Sequence, residues 1–412
     1  MNVITFLVAA GGLAATPVAL AASPVGSADR VAGLTADETR AMVAEMLADS
    51  EHRSSFAVGN GSSTDLTVGG YFQFRYIASF TDDDDAVAGQ DDFESGFQFQ
   101  RTRLVFKGTT GSEDHRFGFL VIAAAGPNGD FGLQDGVVSY SFGDSKWSIA
   151  AGQLKLPFFR EYLVSERFIL PVERSNVTQA FAALYNQGVV LKYADDAFRF
   201  NFAFSDGVRT INSSFTDDVE ADYAFTARGE WLAFGEWKQF DDLTALGNQG
   251  DGLMIGAAVH HQGETDSLGG RDLNDLTQYT VDVSYETADW SAFAAGVGRH
   301  YDDAGADESF TDFGAVAQAA VFLDESWEVF GRYSILLPDD DAAGDDPFNT
   351  ITLGVNNYIY GHAAKFTADV VWFLDDTTGT TMLNFGPNSG VGLRASGEDN
   401  QFAVRAQFQL IF

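Results

Sequence analysis

The chain has 412 residues, with 43 Gly, 37 Phe and 13 Tyr but only 8 Pro and no Cys, a usage that favours strands and turns with few breaks in backbone ladders and excludes disulfides, thiol catalysis and thiolate metal ligation. The 59 acidic residues against 24 basic ones leave a net charge of -35, a field that repels nucleic acid and argues against it as a partner. Mean hydropathy is -0.06, and past the N-terminus no apolar run is long enough for a helical membrane span. Strands that alternate lipid-facing and water-facing residues escape that test.

In chain order, residues 1–21 carry no charged side chain, run apolar from Phe6 to Val18 and end on Ala19-Leu20-Ala21, the pattern of a signal peptide that lacks its usual basic start. Residues 22–63 then read as a linker with one amphipathic helix over 34–53. Thr35 and Glu38 form a capping box, and Met42, Val43, Met46 and Leu47 share one face. A helix of that length is marginal alone in water, so its stripe should pack on sister helices or on a barrel rim.

From Leu66 the period becomes two. Leu66, Val68, Phe72, Phe74, Tyr76 and Phe80 alternate with Thr67, Gly69, Gln73, Arg75 and Ser79, and the closing segment alternates Phe402, Val404, Phe408 and Leu410 with Gln401, Arg405, Gln407 and Gln409. Fourteen similar segments lie between: 97–109, 115–125, 132–142, 146–155, 186–194, 197–205, 219–232, 251–262, 276–287, 290–301, 309–323, 326–337, 349–359 and 363–374. Trp231–Phe240 could be a further strand but is taken as a long turn, which keeps the count even. Connectors alternate short (143–145, 194–196, 287–289, 324–325, 360–362) and long (81–92, 156–185, 206–218, 263–275, 338–348, 375–400). Residues 64–412 are therefore expected to be an all-β, transmembrane antiparallel β-barrel of about sixteen strands, with short periplasmic turns and long external loops in a bacterial outer membrane. Phe80, Trp147, Trp231, Trp290, Tyr301, Trp327, Tyr358 and Trp372, near strand ends, are expected to form interfacial girdles.

Three patterns resemble one known family, the phosphate-selective porin O and P family: Gly152-Gln153-Leu154-Lys155-Leu156-Pro157-Phe158 followed by Glu161, Ser165 and Glu173-Arg174-Ser175; Arg101-Thr102-Arg103-Leu104 with Gly108; and Leu353-Gly354-Val355-Asn356-Asn357-Tyr358 with Lys365 and the terminal aromatic strand. The similarity runs from about Leu66 to Phe412. It implies a sixteen-stranded homotrimeric porin whose third external loop folds into the lumen.

A barrel of this size needs narrowing if it is to discriminate. The 156–185 connector is the candidate, because Phe158, Phe159, Tyr162, Leu163, Val164, Phe168, Ile169 and Leu170 would be stranded in an exposed loop. Its charges, with the adjoining strand end, are the expected pore constriction: Lys155, Arg160, Glu161, Glu166, Arg167, Glu173 and Arg174. Facing inner-wall charges are Arg75, Arg101, Arg103, Lys107, Arg199, Arg228, Arg332, Lys365 and Arg405, each able either to meet solute or to pair with Glu230, Asp282, Glu328 or Asp369. The expected function is passive diffusion of small ions and solutes, with membrane lipid as the surrounding partner and no cofactor.

Selectivity is left open between a general or cation-preferring pore and a phosphate or anion-selective one. Asp82–Asp85, Asp91-Asp92, Asp302-Asp303, Asp339–Asp341 and Asp345-Asp346 make an acidic mouth, with the alternative that they loosely bind Ca²⁺, although no Asp-x-Asp-x-Asp-Gly loop is present. No catalytic residue is expected. The six histidines are scattered, and the one adjacent pair, His260-His261, would point to opposite faces of a strand. A plugged structural or adhesive barrel is the rival from another class.

Overall fold

The computed structural model describes residues 63–81, 92–112, 116–268, 271–342, 344–380, 382–383 and 389–412. The expected signal peptide (1–21), the helix (34–53), Asp82–Asp85 and Asp91 lie outside the described residues. The strands are β1 (Ser63–Phe80), β2 (Phe93–Gly111), β3 (Arg116–Ala125), β4 (Phe131–Ser141), β5 (Trp147–Lys155), β6 (Tyr185–Ala194), β7 (Phe198–Ser205), β8 (Ala224–Phe234), β9 (Gly252–Gln262), β10 (Thr265–Leu268), β11 (Arg271–Glu286), β12 (Trp290–Asp303), β13 (Glu308–Phe322), β14 (Trp327–Leu337), β15 (Phe348–His362), β16 (Ala364–Phe373) and β17 (Phe402–Ile411). Each pairs antiparallel with its sequence neighbours, except that β9 pairs with β11, and β17 closes on β1. Sixteen strands thus form a closed barrel, while short β10 pairs only with the start of β11. No helix among the described residues is long and apolar enough to cross a membrane.

The alternation dictates an inside-out arrangement. Across the closing seam Phe72, Phe74 and Tyr76 face Leu410, Phe408 and Ala406 on the outer surface, while Gln73 and Arg75 face Gln409 and Gln407 inside. Phe97, Val281 and Leu353 are 71%, 61% and 61% exposed, whereas Arg228, Lys365 and Arg405 are at most 2% exposed. A soluble core has the reverse pattern; a wall with lipid outside and a polar lumen requires this one. Phe80 stacks on Phe402 at 4.6 Å, and Trp147, Trp231, Trp290 and Trp327 stand half-exposed on the outer wall at the turn end. Tyr301 and Tyr358 depart from the girdle expectation: both are buried on the inner face, where Tyr358 donates to Glu328 at 2.5 Å.

Three connectors among the described residues break the short and long rule. Residues 126–130, between β3 and β4, and 304–307, between β12 and β13, are short on the long-loop side. Residues 235–251, between β8 and β9, are long on the turn side. The reason for this last is burial: Gly235 at φ +97 ends the ladder, the 3-10 turn Trp237–Asp241 follows, and Phe240, Leu243, Thr244 and Ala245 go into the lumen.

Candidate functional site in the barrel lumen

β5 ends at Lys155 and the chain turns inward instead of continuing outward. Residues 156–184 carry two short helices, α1 (Arg160–Leu163) and α2 (Asn176–Phe181). Ser175 caps α2 by accepting from Thr178 N at 3.2 Å. Of the apolar residues read as constriction packing, Phe158, Phe159, Val164 and Ile169 are buried against the inner wall in a cluster with Val316, Leu336 and Phe373, which Val177 and Phe181 of α2 also join. Gly314 makes room for this, since a Cβ there would lie 2.7 Å from the Phe181 ring.

Apart from Arg160, the charges of the segment are spent on anchoring it. Glu161 accepts from Ser175 N at 3.1 Å and from Arg332 at 3.1 Å. Glu173 lies between Arg75 at 3.1 Å and Arg101 at 2.8 Å. Burial pushes the Glu173 carboxyl up, but Arg101 and Arg75 outweigh it and hold it at about 2. Glu166 accepts from Tyr71 and pairs with Arg174 at 3.3 Å, and Arg174 also donates to Val164 O at 2.7 Å. Arg167 lies over the Tyr71 ring at 4.7 Å. From the wall, Lys365 donates to Ile169 O at 2.9 Å, Arg228 to Phe158 O at 3.0 Å and Arg299 to Ala180 O at 3.3 Å. Asp369 accepts from Val172 N at 2.9 Å while pairing bidentately with Arg405 at 2.7 and 2.8 Å. The segment therefore touches the wall from β8 and β9 round through β17 to β2.

Two other segments bend inward beside it. In residues 374–401 Val391 and Leu393 are buried, and Gly390, at φ +68, offers its carbonyl to Arg75 at 3.0 Å; a Cβ there would collide with that guanidinium. From the opposite end the 235–251 turn meets the loop directly. Arg160 donates to Phe240 O, Leu243 N to Phe168 O at 3.2 Å, and Thr244 to Glu328 at 2.6 Å.

What the loop leaves uncovered is a crescent along β3 to β8. A cavity of about 470 Å³ lies there, lined by Leu120, Asp135, Val137, Lys155, Arg160, Lys192, Arg199, Arg228, Glu230 and Asp241 among others. Arg228 is committed to Asp282 at 2.8 Å and Glu230 at 2.9 Å. Lys155 donates to Tyr162 O at 2.8 Å, and Arg199 lies 4.0 Å over the Trp237 ring. No ion pair reaches Lys155, Arg160, Lys192 or Arg199 among the described residues, so the crescent carries four basic groups without a paired carboxylate against Asp135 and Asp241.

All nine expected inner-wall residues face the lumen side, but they divide. Arg75, Arg101, Arg228, Arg332, Lys365 and Arg405 hold the loop or pair with carboxylates. Arg103 bonds Gln134 and Ala125 O; Arg199 opens on the crescent, and Lys107 is exposed. Glu328 takes no arginine among the described residues, accepting instead from Thr244, Asn356 and Tyr358. Lys192, Asp135 and Asp241 were not singled out from sequence. Lys192 sits in Val189-Val190-Leu191-Lys192-Tyr193, an apolar run that hides its inward position, and a register shift beside Ile122 and Ala123 disturbs the alternation opposite Asp135. No group of three His, Asp or Glu residues among the described residues is arranged to hold a metal.

A closed barrel with an apolar outer band and charged, inward-folded loops is the construction of a bacterial outer-membrane channel, not of an enzyme. The model of the phosphate-selective porin O and P family matches residues 72–409, and the chain belongs to that family. Similar solved structures include an anion-selective porin from Comamonas acidovorans (13% identity, TM-score 0.59, covering 85% of this chain and 100% of that one). Outer-membrane OmpT of Vibrio cholerae is another (12%, 0.57, 87% and 100%), as is the outer-membrane channel DcaP of Acinetobacter baumannii (13%, 0.56, 87% and 100%). These identities carry the fold alone. No curated protein matches the sequence.

Proposed function

We propose that the chain is a passive diffusion channel for small hydrophilic solutes and ions, narrowed by its third external loop, residues 156–184, with anions favoured at the narrowest point. The observation that carries this reading is the crescent, where Lys155, Arg160, Lys192 and Arg199 line open space without carboxylate partners. The anion selectivity of the Comamonas acidovorans porin is consistent with it. The acidic external loops act at longer range and are screened beyond about 8 Å at physiological salt, so the wall charges nearest the solute should decide. The channel needs no cofactor on this reading. It assembles as a homotrimer, the form in which OmpT of Vibrio cholerae has been solved, which light scattering of the detergent-solubilised protein would test.

A plugged barrel is the second reading, and the 235–251 turn favours it, because Leu243 N reaches Phe168 O from the opposite end of the lumen. Planar-bilayer recording in a KCl gradient separates the two. Stepwise conductance with Cl⁻ preferred supports the channel as proposed. K⁺ preference would mean the acidic loops dominate, and absence of conductance would favour the plug.

A further inference from the structure

A second cavity of about 480 Å³ lies outward of the crescent, on the α2 side of the 156–184 loop. Its wall comes from the outer halves of β11, β12 and β13 and from the connectors beside them. Three arginines converge on it. Arg209, in the left-handed region at φ +65, donates to Gln179 O at 2.7 Å and Ala180 O at 3.3 Å. Arg271 reaches Asp303 at 3.3 Å and the Tyr301 hydroxyl at 3.2 Å. Arg299 bonds Asp312 at 3.1 Å through Nε and lies 5.1 Å over the Phe181 ring. Asp312 is the one carboxylate in the lining among the described residues, and Asp339 N occupies its other oxygen at 3.1 Å.

Two further features point to a ligand. Leu273 and Leu276 are buried in the same wall, a surface that hydrated inorganic ions gain nothing from touching. Gln278, 3% exposed, also lines the cavity, and its Oε1 has no hydrogen-bond partner among the described residues. An unpaired buried amide oxygen is costly, and turning the amide about its last torsion offers either end to a bound group.

From this set we infer a solute-capture site at the external mouth for small organic carboxylates with an apolar body. The carboxylate lies among Arg209, Arg271 and Arg299, the body rests on Leu273 and Leu276, and Gln278 takes a remaining polar atom. The inference rests on the lumen being a solute path, and it gives that path an entry station of different chemistry from the crescent. It also explains how an organic anion is held at a mouth whose loops are acidic.

The test is calorimetric titration of the detergent-solubilised protein with benzoate, alongside bilayer conductance of the same preparations. Saturable benzoate binding is expected, weakened about tenfold by Arg271→Gln and by Arg209→Gln, the loss of roughly one charge-assisted hydrogen bond, and not displaced by equimolar inorganic phosphate. Conductance in KCl shows that each variant is folded. Absent benzoate binding in a conducting protein overturns this site and leaves the channel reading standing. Binding in a protein that does not conduct supports the site and removes the channel. Displacement by phosphate as readily as by hexanoate would overturn the role given to the leucines.

Discussion

The two sides of the lumen use the same kind of residue for different ends. On the covered side, from β9 through β17 to β2, Arg75, Arg332, Lys365 and Arg405 stand at inward strand positions and are fully committed to the loop or to carboxylates. On the open side, Lys192 and Arg199 stand at equivalent positions and meet a cavity. On the reading proposed above, the loop's footprint separates inward basic residues that act as scaffold from those left open to solute, with Arg299, which donates to Ala180 O and also lines the outer cavity, at the edge of that footprint.

The largest effect should come from breaking a buried pair on the covered side. Asp369→Ala leaves Arg405 buried without its partner and removes the acceptor of Val172 N; a loss of about 3–5 kcal/mol is expected, read from the urea midpoint of the folded barrel. Adding Arg405→Met should recover much of it, and no recovery would mean that the Val172 contact dominates. Next, Glu173→Gln removes the anion shared by Arg75 and Arg101. A cost of about 1–3 kcal/mol and a larger, noisier single-channel conductance are expected as the loop loosens; an unchanged conductance would contradict its place in the constriction.

The same residue fixes the acid limit. Glu173 is lowered from an ordinary 4.5 to about 2, so its contribution is full above about 4.5 and is lost as pH falls through about 2. Conductance at pH 3 should therefore match that at pH 7, with loop release only nearer pH 2. A transition centred at pH 4 to 5 would show that the pairing is not formed. The smallest effect should come from the external loops: replacing Asp339, Asp340 and Asp341 by Asn should shift ion preference only slightly, and less as salt is raised.

Much of the barrel was legible because alternation is a local signal, as in Phe402, Val404, Phe408 and Leu410, which all face outward, while Ala403 between them is buried in the lumen. The loop's inward fold was legible from Phe158, Phe159 and Ile169, which no exposed loop would carry. The pairings were partly legible: Arg228 with Glu230 and Asp282, and Arg405 with Asp369, were among the partners considered. Arg75 with Glu173 and Arg332 with Glu161 were not, since 98 and 171 residues separate the partners and only the loop's docking brings them together. The stretch from Trp231 to Phe240, taken as a long turn, is partly strand, since residues 231–234 complete β8; the lumen course of the 235–251 segment that follows was not legible, because its burial comes from contacts with the folded-in loop and the wall.

The most direct test sets Lys192→Gln against Lys365→Gln and measures the reversal potential of each in a KCl gradient together with its unfolding midpoint. Lys192→Gln should move the reversal potential toward cation preference with almost no change in stability, and Lys365→Gln should lower stability while leaving ion preference near that of the parent. If both shift the reversal potential equally, or only Lys365→Gln does, the division of the lumen into a covered scaffold and an open conducting crescent is wrong.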